Sequence, residues 1–162
     1  MARWPAGPFA AHRAFASRTL PLFALGEGGV LLVPGGPGTR ALVRYEAFLR
    51  ELARLARAAP FVLAICTGPA LLAKAGLPGG MRATSNKHAF DWVPSQGPGA
   101  LWQKSARLVA GGEFCSSSGV CAGMDMALGF VADRFGGQRA LELAAAIEYL
   151  WNENPDCDPF SA

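Results

Sequence analysis

Phe61-Val62-Leu63-Ala64-Ile65-Cys66-Thr67-Gly68-Pro69-Ala70-Leu71-Leu72-Ala73-Lys74-Ala75-Gly76 decides the fold. The five apolar residues Phe61 to Ile65 show no polar alternation. Such a run predicts a strand buried on both faces, as in a parallel sheet covered by helices. Thr67 to Ala75 predicts a short helix, with Pro69 in its first turn and Gly76 past its end. Cys66 falls at the junction. Upstream, Val30 to Val33 is a second apolar strand, running into the chain reversal Pro34-Gly35-Gly36-Pro37-Gly38. Tyr45, Phe48, Leu49, Leu52, Leu55, Ala56 and Ala59 then share one helical face, with Arg44, Arg50, Arg54 and Arg57 mostly opposite, until Pro60. Alternation of strand and helix predicts an α/β fold with a parallel sheet.

Downstream, strands are expected at Arg107–Ala110 and Glu113–Ser117, joined by a tight turn at Gly111-Gly112. Val120 to Phe135 reads as a helix apolar nearly all round, hence buried. Gly123 and Gly129 would allow close approach, Ser118 would be its N-cap, and Gly136-Gly137 would end it. A last helix is expected over Gln138–Trp151, with Leu143, Ile147 and Leu150 on one face.

The chain has 162 residues, one domain at roughly 150 residues each. It is 51% apolar and 17% charged, which excludes a disordered chain. No apolar run approaches the roughly 18 residues of a membrane span, so no membrane partner is expected. Residues 1–60 carry eight basic and three acidic groups; residues 111–162 carry two and eight. The arginines are spread along a helix rather than clustered, which predicts a solvated face and no nucleic-acid partner. Residues 1–26 hold Arg3, Arg13, Arg18 and no acid, as in an organelle transit peptide, but Pro5 and Pro8 break the amphipathic helix such a peptide needs. Leu20–Leu25 is a candidate strand. The expected location is cytoplasmic.

Cys66, Cys115, Cys121 and Cys157 form no CxxC pair and lack zinc-type spacing, so they read as reduced thiols with no metal and no cofactor. Cys66 stands out. A cysteine between a buried strand and a helix start occupies a nucleophile elbow. Helix-start N–H groups stabilise a thiolate there. The Pro34–Gly38 loop leaves the same sheet edge, so its amides can face the sulfur. The competing reading is an inert thiol packed under a helix.

Five ordered blocks carry a resemblance: Val30–Thr39, Ala64–Gly76, Arg82–Phe90, Ser117–Gly129, and a closing Ile147-Glu148-Tyr149 with Asp158-Pro159-Phe160. Together, over residues 29–160, they resemble the ThiJ/PfpI superfamily, and within it the isonitrile-hydratase-like branch, especially its fungal members. The resemblance implies a flavodoxin-like, class I glutamine-amidotransferase-like fold: a three-layer parallel-sheet sandwich over residues 29–162. It implies that Cys66 is the catalytic nucleophile and that Thr67 serves the site through hydroxyl and amide. The amides of Gly35, Gly36 and Thr67 would form the oxyanion site. Thr67 stands where peptidase-like relatives carry His, so a Cys–His pair is not implied.

The family begins with a strand–helix–strand unit whose first strand carries a carboxylate that meets the Cys. Residues 1–28 are too short for that unit, and Glu27, their single carboxylate, lies at the wrong end of the Val30–Val33 strand. Residues 1–28 are therefore expected to be a variable or truncated segment, with the first strand–helix–strand unit lacking. His88, Trp151 and Phe160 are further pocket candidates. His88 reads more readily as a surface residue, Asp91 as a solvated one, and Asp125 as a buried carboxylate paired with nearby backbone or Ser. Three functions compete: a lyase hydrating a small polarised carbon such as an isonitrile, a glyoxalase or deglycase acting on dicarbonyls, and a non-catalytic thiol sensor or degraded paralogue. A small-molecule substrate and a homodimer are the expected partners.

Overall fold

β2 (Phe61–Ile65) has the neighbours its apolar run requires: β1 (Val30–Val33) on one side and β6 (Phe114–Ser117) on the other, both parallel to it. The structure is a computed structural model that describes residues 29–77 and 79–161. β5 (Leu108–Gly111) closes the sheet antiparallel to β6, giving the order β1-β2-β6-β5. The expected turn at Gly111-Gly112 therefore forms a hairpin, and Gly112 has φ 73°. A separate two-stranded parallel sheet pairs β3 (Arg82–Ala83) with β4 (Leu101–Trp102). The predicted Leu20–Leu25 strand and the features read in residues 1–26 lie outside the described residues.

Two cores make the three layers. Val62 and Ala64 of β2 pack with Val33, Leu52, Leu71, Leu72 and Phe114. These meet α2 (Glu46–Ala58) and α3 (Gly68–Lys74). Leu63 of β2, on the alternate face, packs with Cys115 and with Met126 of α4 (Val120–Phe135). α1 (Thr39–Leu42) precedes α2, and α5 (Gly137–Ala146) packs on α4. The arginine face of α2 is solvated as expected, with Arg50 and Arg54 in exposed pairs with Glu46 and Glu51. Among the described residues, no helix is long and apolar enough to cross a membrane.

Several boundaries differ from expectation, each for a local reason. α4 is not buried all round: Val120 is 74% and Met124 39% exposed. Gly123 does allow close approach, since a Cβ there would meet Ile65 Cγ2 at 2.9 Å, but nothing lies within 4 Å of one at Gly129. Gly119, not Ser118, is the N-cap of α4, with no side-chain cap bond. Gly136 ends α4 with φ 92°, while Gly137 starts α5. α5 stops at Ala146 rather than Trp151, because Glu148 turns to φ 53° and the Tyr149 amide closes back on Ala144 O at 2.9 Å. Its buried residues are Ala140 and Ala144, whereas Leu143, Ile147 and Leu150 are exposed.

Asp125 is fully buried, and besides an expected backbone partner it has one that was not expected, Arg107, whose Nε donates to Oδ2 at 2.7 Å. Tyr149 Oη and the Asn152 amide donate to the other oxygen at 3.0 and 2.9 Å. Burial works against the Arg107 charge, but the Asp125 bond and charge outweigh it and hold the guanidinium pKa above its ordinary value. Asp125→Ala leaves a buried guanidinium unpaired and the Asn152 amide without its acceptor, while Tyr149 Oη keeps Cys121 O at 3.1 Å. It is expected to cost about 3–5 kcal/mol of stability, while Glu51→Ala, in an exposed pair, is expected to leave stability nearly unchanged. Urea denaturation midpoints check both.

Candidate functional site

Cys66 follows β2 directly and adopts φ 61°, the left-handed region. A non-glycine residue there stores about 1–3 kcal/mol of strain and persists only when its surroundings fix it. Here two backbone bonds do so. The Cys66 amide donates to Ser117 O at 3.1 Å, and the Asn86 amide donates to Cys66 O at 3.1 Å. Cys66 is thus turned out of the sheet between β6 and the Ser85–Lys87 segment, with a half-buried side chain.

The loop after β1 presses on this turn. A Cβ on Gly35 would lie 2.5 Å from Thr67 N and 2.8 Å from Cys66 Cβ. One on Gly68 would collide with Val33 O and lie 3.0 Å from Pro34 O. The Thr67 hydroxyl faces the loop as well, accepting from the Gly36 amide at 2.9 Å. This corrects one expectation: the Gly36 N–H is occupied by Thr67, so it is a tie between loop and elbow rather than a donor for an oxyanion. Gly35 and the Thr67 amide, which precedes α3 and has no acceptor within the helix, remain beside the sulfur.

Among the described residues, the other expected pocket residues form no hydrogen bond with Cys66. Trp151 lines a cavity of ≈ 430 Å³ bounded by Leu108, Cys115, Met126 and Phe130, a lining that does not include Cys66. Its position follows from the early end of α5. Phe160 is 71% exposed, and its amide donates to Asp158 Oδ1 at 3.0 Å. His88 is exposed in the 3-10 turn Lys87–Ala89, and Asp91 is exposed just beyond it. Among the described residues, no group of three or more His, Cys, Asp or Glu side chains is placed to hold a metal.

Two buried residues near the elbow escaped the sequence reading. Thr39 is buried and bonds to Gly36; its signal was the Gly36-to-Thr39 spacing of a hydroxyl turn. Lys87 buries its amine on Thr84 Oγ1 at 2.8 Å and Ala106 O at 2.6 Å, with Asp158 Oδ2 3.8 Å away. Burial pulls its pKa down, and Asp158 opposes that shift. No sequence signal marks a lysine as buried. Burial also pushes the Cys115 thiol pKa up.

The DJ-1/PfpI family model matches residues 17–133. The chain belongs to the DJ-1/PfpI family. It is 34% identical over 120 residues to an isonitrile hydratase of Pseudomonas putida, covering 74% of this chain and 51% of that protein. A solved ThiJ/PfpI family protein from Pseudomonas syringae superposes with TM-score 0.68 at 29% identity, over 85% of this chain and 54% of that one. DJ-1beta of Drosophila melanogaster superposes with TM-score 0.62 at 22% identity, over 75% of this chain and 64% of that one, and supports the fold. This chain spans about half the length of the curated relative it matches. The flavodoxin-like α/β reading holds, in a mixed sheet whose β5 edge is antiparallel.

Two outcomes follow from the site geometry. Gly35→Ala forces two backbones apart and is expected to cost about 1–3 kcal/mol. Gly38→Ala, where nothing lies within 4 Å, is expected to be neutral or slightly stabilising. Thermal unfolding of the pair compares them. In a time course of iodoacetamide labelling at neutral pH read by peptide mapping, Cys115 is modified last, because burial both shields its thiol and disfavours its anion.

Proposed function

We propose that this chain is a cysteine-dependent hydratase-type lyase acting on a small polarised carbon, with isonitrile to N-formamide as the representative reaction. The observation that carries the reading is Cys66 itself, held at φ 61° at a strand–helix junction with Gly35 against it. Similarity to the Pseudomonas putida isonitrile hydratase supports the reaction class. In this reading the Cys66 thiolate forms a bond to the terminal isonitrile carbon, and that carbon takes up a proton to give a thioimidate. Water adds across the C=N bond. The C–S bond then breaks, releasing R–NH–CHO and returning the thiol, so the net change is addition of one water. The amides of Gly35 and Thr67 hold the oxygen delivered by water as charge builds on it. His88 and Asp91, which follow Asn86, are the titratable groups to examine as proton donors.

A second reading is a non-catalytic thiol. It is favoured by one observation: among the described residues, no side-chain hydrogen bond to the Cys66 sulfur is present. The experiment incubates the protein with an alkyl isonitrile, and separately with methylglyoxal, and follows products by NMR. The hydratase reading expects N-formamide from the wild type and only the uncatalysed rate from Cys66→Ala. Equal rates in the two proteins overturn it. Loss of methylglyoxal alone moves the assignment to dicarbonyl chemistry, and no turnover of either compound leaves the thiol reading.

A further inference from the structure

Thr39 contributes no atom to the elbow, yet its buried hydroxyl sits where the loop and the elbow are joined. Thr39 Oγ1 donates to Gly36 O at 2.7 Å and lies 3.1 Å from Thr67 Oγ1. The Gly36 amide donates to Thr67 Oγ1 at 2.9 Å. Thr39 has a single hydroxyl hydrogen, and its short bond to Gly36 O uses it. The one Thr67 hydrogen then has two acceptors in reach, Thr39 Oγ1 at 3.1 Å and Gly36 O at 3.3 Å. The result is a closed circuit: Gly36 N–H to Thr67, Thr67 to Thr39 or directly to Gly36 C=O, and Thr39 back to Gly36 C=O. Bonds in such a ring polarise one another.

The circuit matters because of its neighbours. Gly36 follows Gly35, which stands against Cys66, and Thr67 follows Cys66. Gly36 also has φ 127°, a conformation open to glycine alone, so the loop needs an external tie to keep it. Thr39 supplies that tie from α1, where its own carbonyl accepts from the Val43 amide at 3.0 Å.

We propose that Thr39 is a positioning residue for Cys66: its hydroxyl closes the circuit that seats the Pro34–Gly38 loop beside the sulfur, and it thereby sets how fast the sulfur attacks an electrophile. The inference deepens the preceding reading and rests on Cys66 being the reacting group. Loss of the circuit unseats the peptide dipoles beside the sulfur.

The test is the second-order rate of Cys66 alkylation by iodoacetamide in the full chain, with Cys121 and Cys157 as internal standards. Thr39→Val, which keeps the shape and removes the hydroxyl, is expected to slow Cys66 about two- to fivefold, the scale of one lost dipole contact. Thr39→Ser retains the wild-type rate. Thr67→Val breaks the same circuit, so the double variant is no slower than either single one. A merely structural role for Thr39 would loosen the loop, uncover the thiol and speed its alkylation; that outcome overturns the proposal. So does an unchanged rate, or additive slowing in the double variant. Isonitrile turnover is measured in parallel. Slowed alkylation in Thr39→Val with no turnover in the wild type sinks the hydratase reading and leaves the positioning role standing.

Discussion

Two glycines let two backbones touch, and the rest of the site depends on that contact. β1 and β2 run parallel with Val33 level with Ala64. Continued past the strand ends, the same register brings Gly35 level with Cys66 and Gly36 level with Thr67. The Gly36–Thr67 bond is the first tie beyond the sheet that obeys it. A side chain at Gly35 would strike the Thr67 amide, and one at Gly68 would strike the Val33 carbonyl. Each strand's exit therefore constrains the other, and the constraint is reciprocal. Forced to leave β2 beneath this loop, the chain turns at Cys66 into a conformation that a β-carbon disfavours.

The other side of the elbow is held by buried charge. Asp158, near the C-terminal end, faces Lys87, and the neighbouring Asn86 amide binds the Cys66 carbonyl. Lys87 lies against Thr84 and the Ala106 carbonyl. Its lowered pKa shows that burial outweighs the help Asp158 provides. Where the folded amine sheds its proton before the unfolded one, stability rises with pH across that interval, because the cost of burying the charge is being relieved. Arg107, Asp125 and Tyr149 repeat the device across the sheet, fastening the segment after α5 to α4. The C-terminal segment thus acts as a strap over strands that would otherwise lack a cover at β5.

What could be read from sequence was what depends on near neighbours in the chain. β1, β2, α2 and α3 show their periods within single windows, and the position of Cys66 follows from the order strand, cysteine, Pro-marked helix. What could not be read depends on partners far away. The buried state of Lys87 needs Asp158, and the two-residue strands β3 and β4 carry no period at all. α5 shows the cost of trusting a period. Leu143, Ile147 and Leu150 have the spacing of an apolar face, but Ala140 and Ala144 are buried instead, because small side chains let α5 lie close on α4. Once α5 ends at Ala146, Trp151 is carried to the β5 side of the sheet and away from the elbow.

Cys66 and Cys115 show how little of the chemistry belongs to the residue type. One sits within β6 and the other just past the end of the neighbouring β2. Cys115 lies within β6, level with Leu63, where both sheet faces are packed and burial pushes its thiol pKa up. Cys66 lies one residue beyond the end of β2, where the ladder has run out and the next peptide enters α3. A displacement of three residues, about 10 Å along the strand direction, exchanges an apolar packing environment for peptide N–H groups and partial solvent access. Parallel strands make that position recur: their carboxyl ends collect at one edge, each followed by a loop with unpaired backbone groups. A thiol at such an end is placed for chemistry by the sheet, and the glycine loop beside it determines how closely a reacting partner is held.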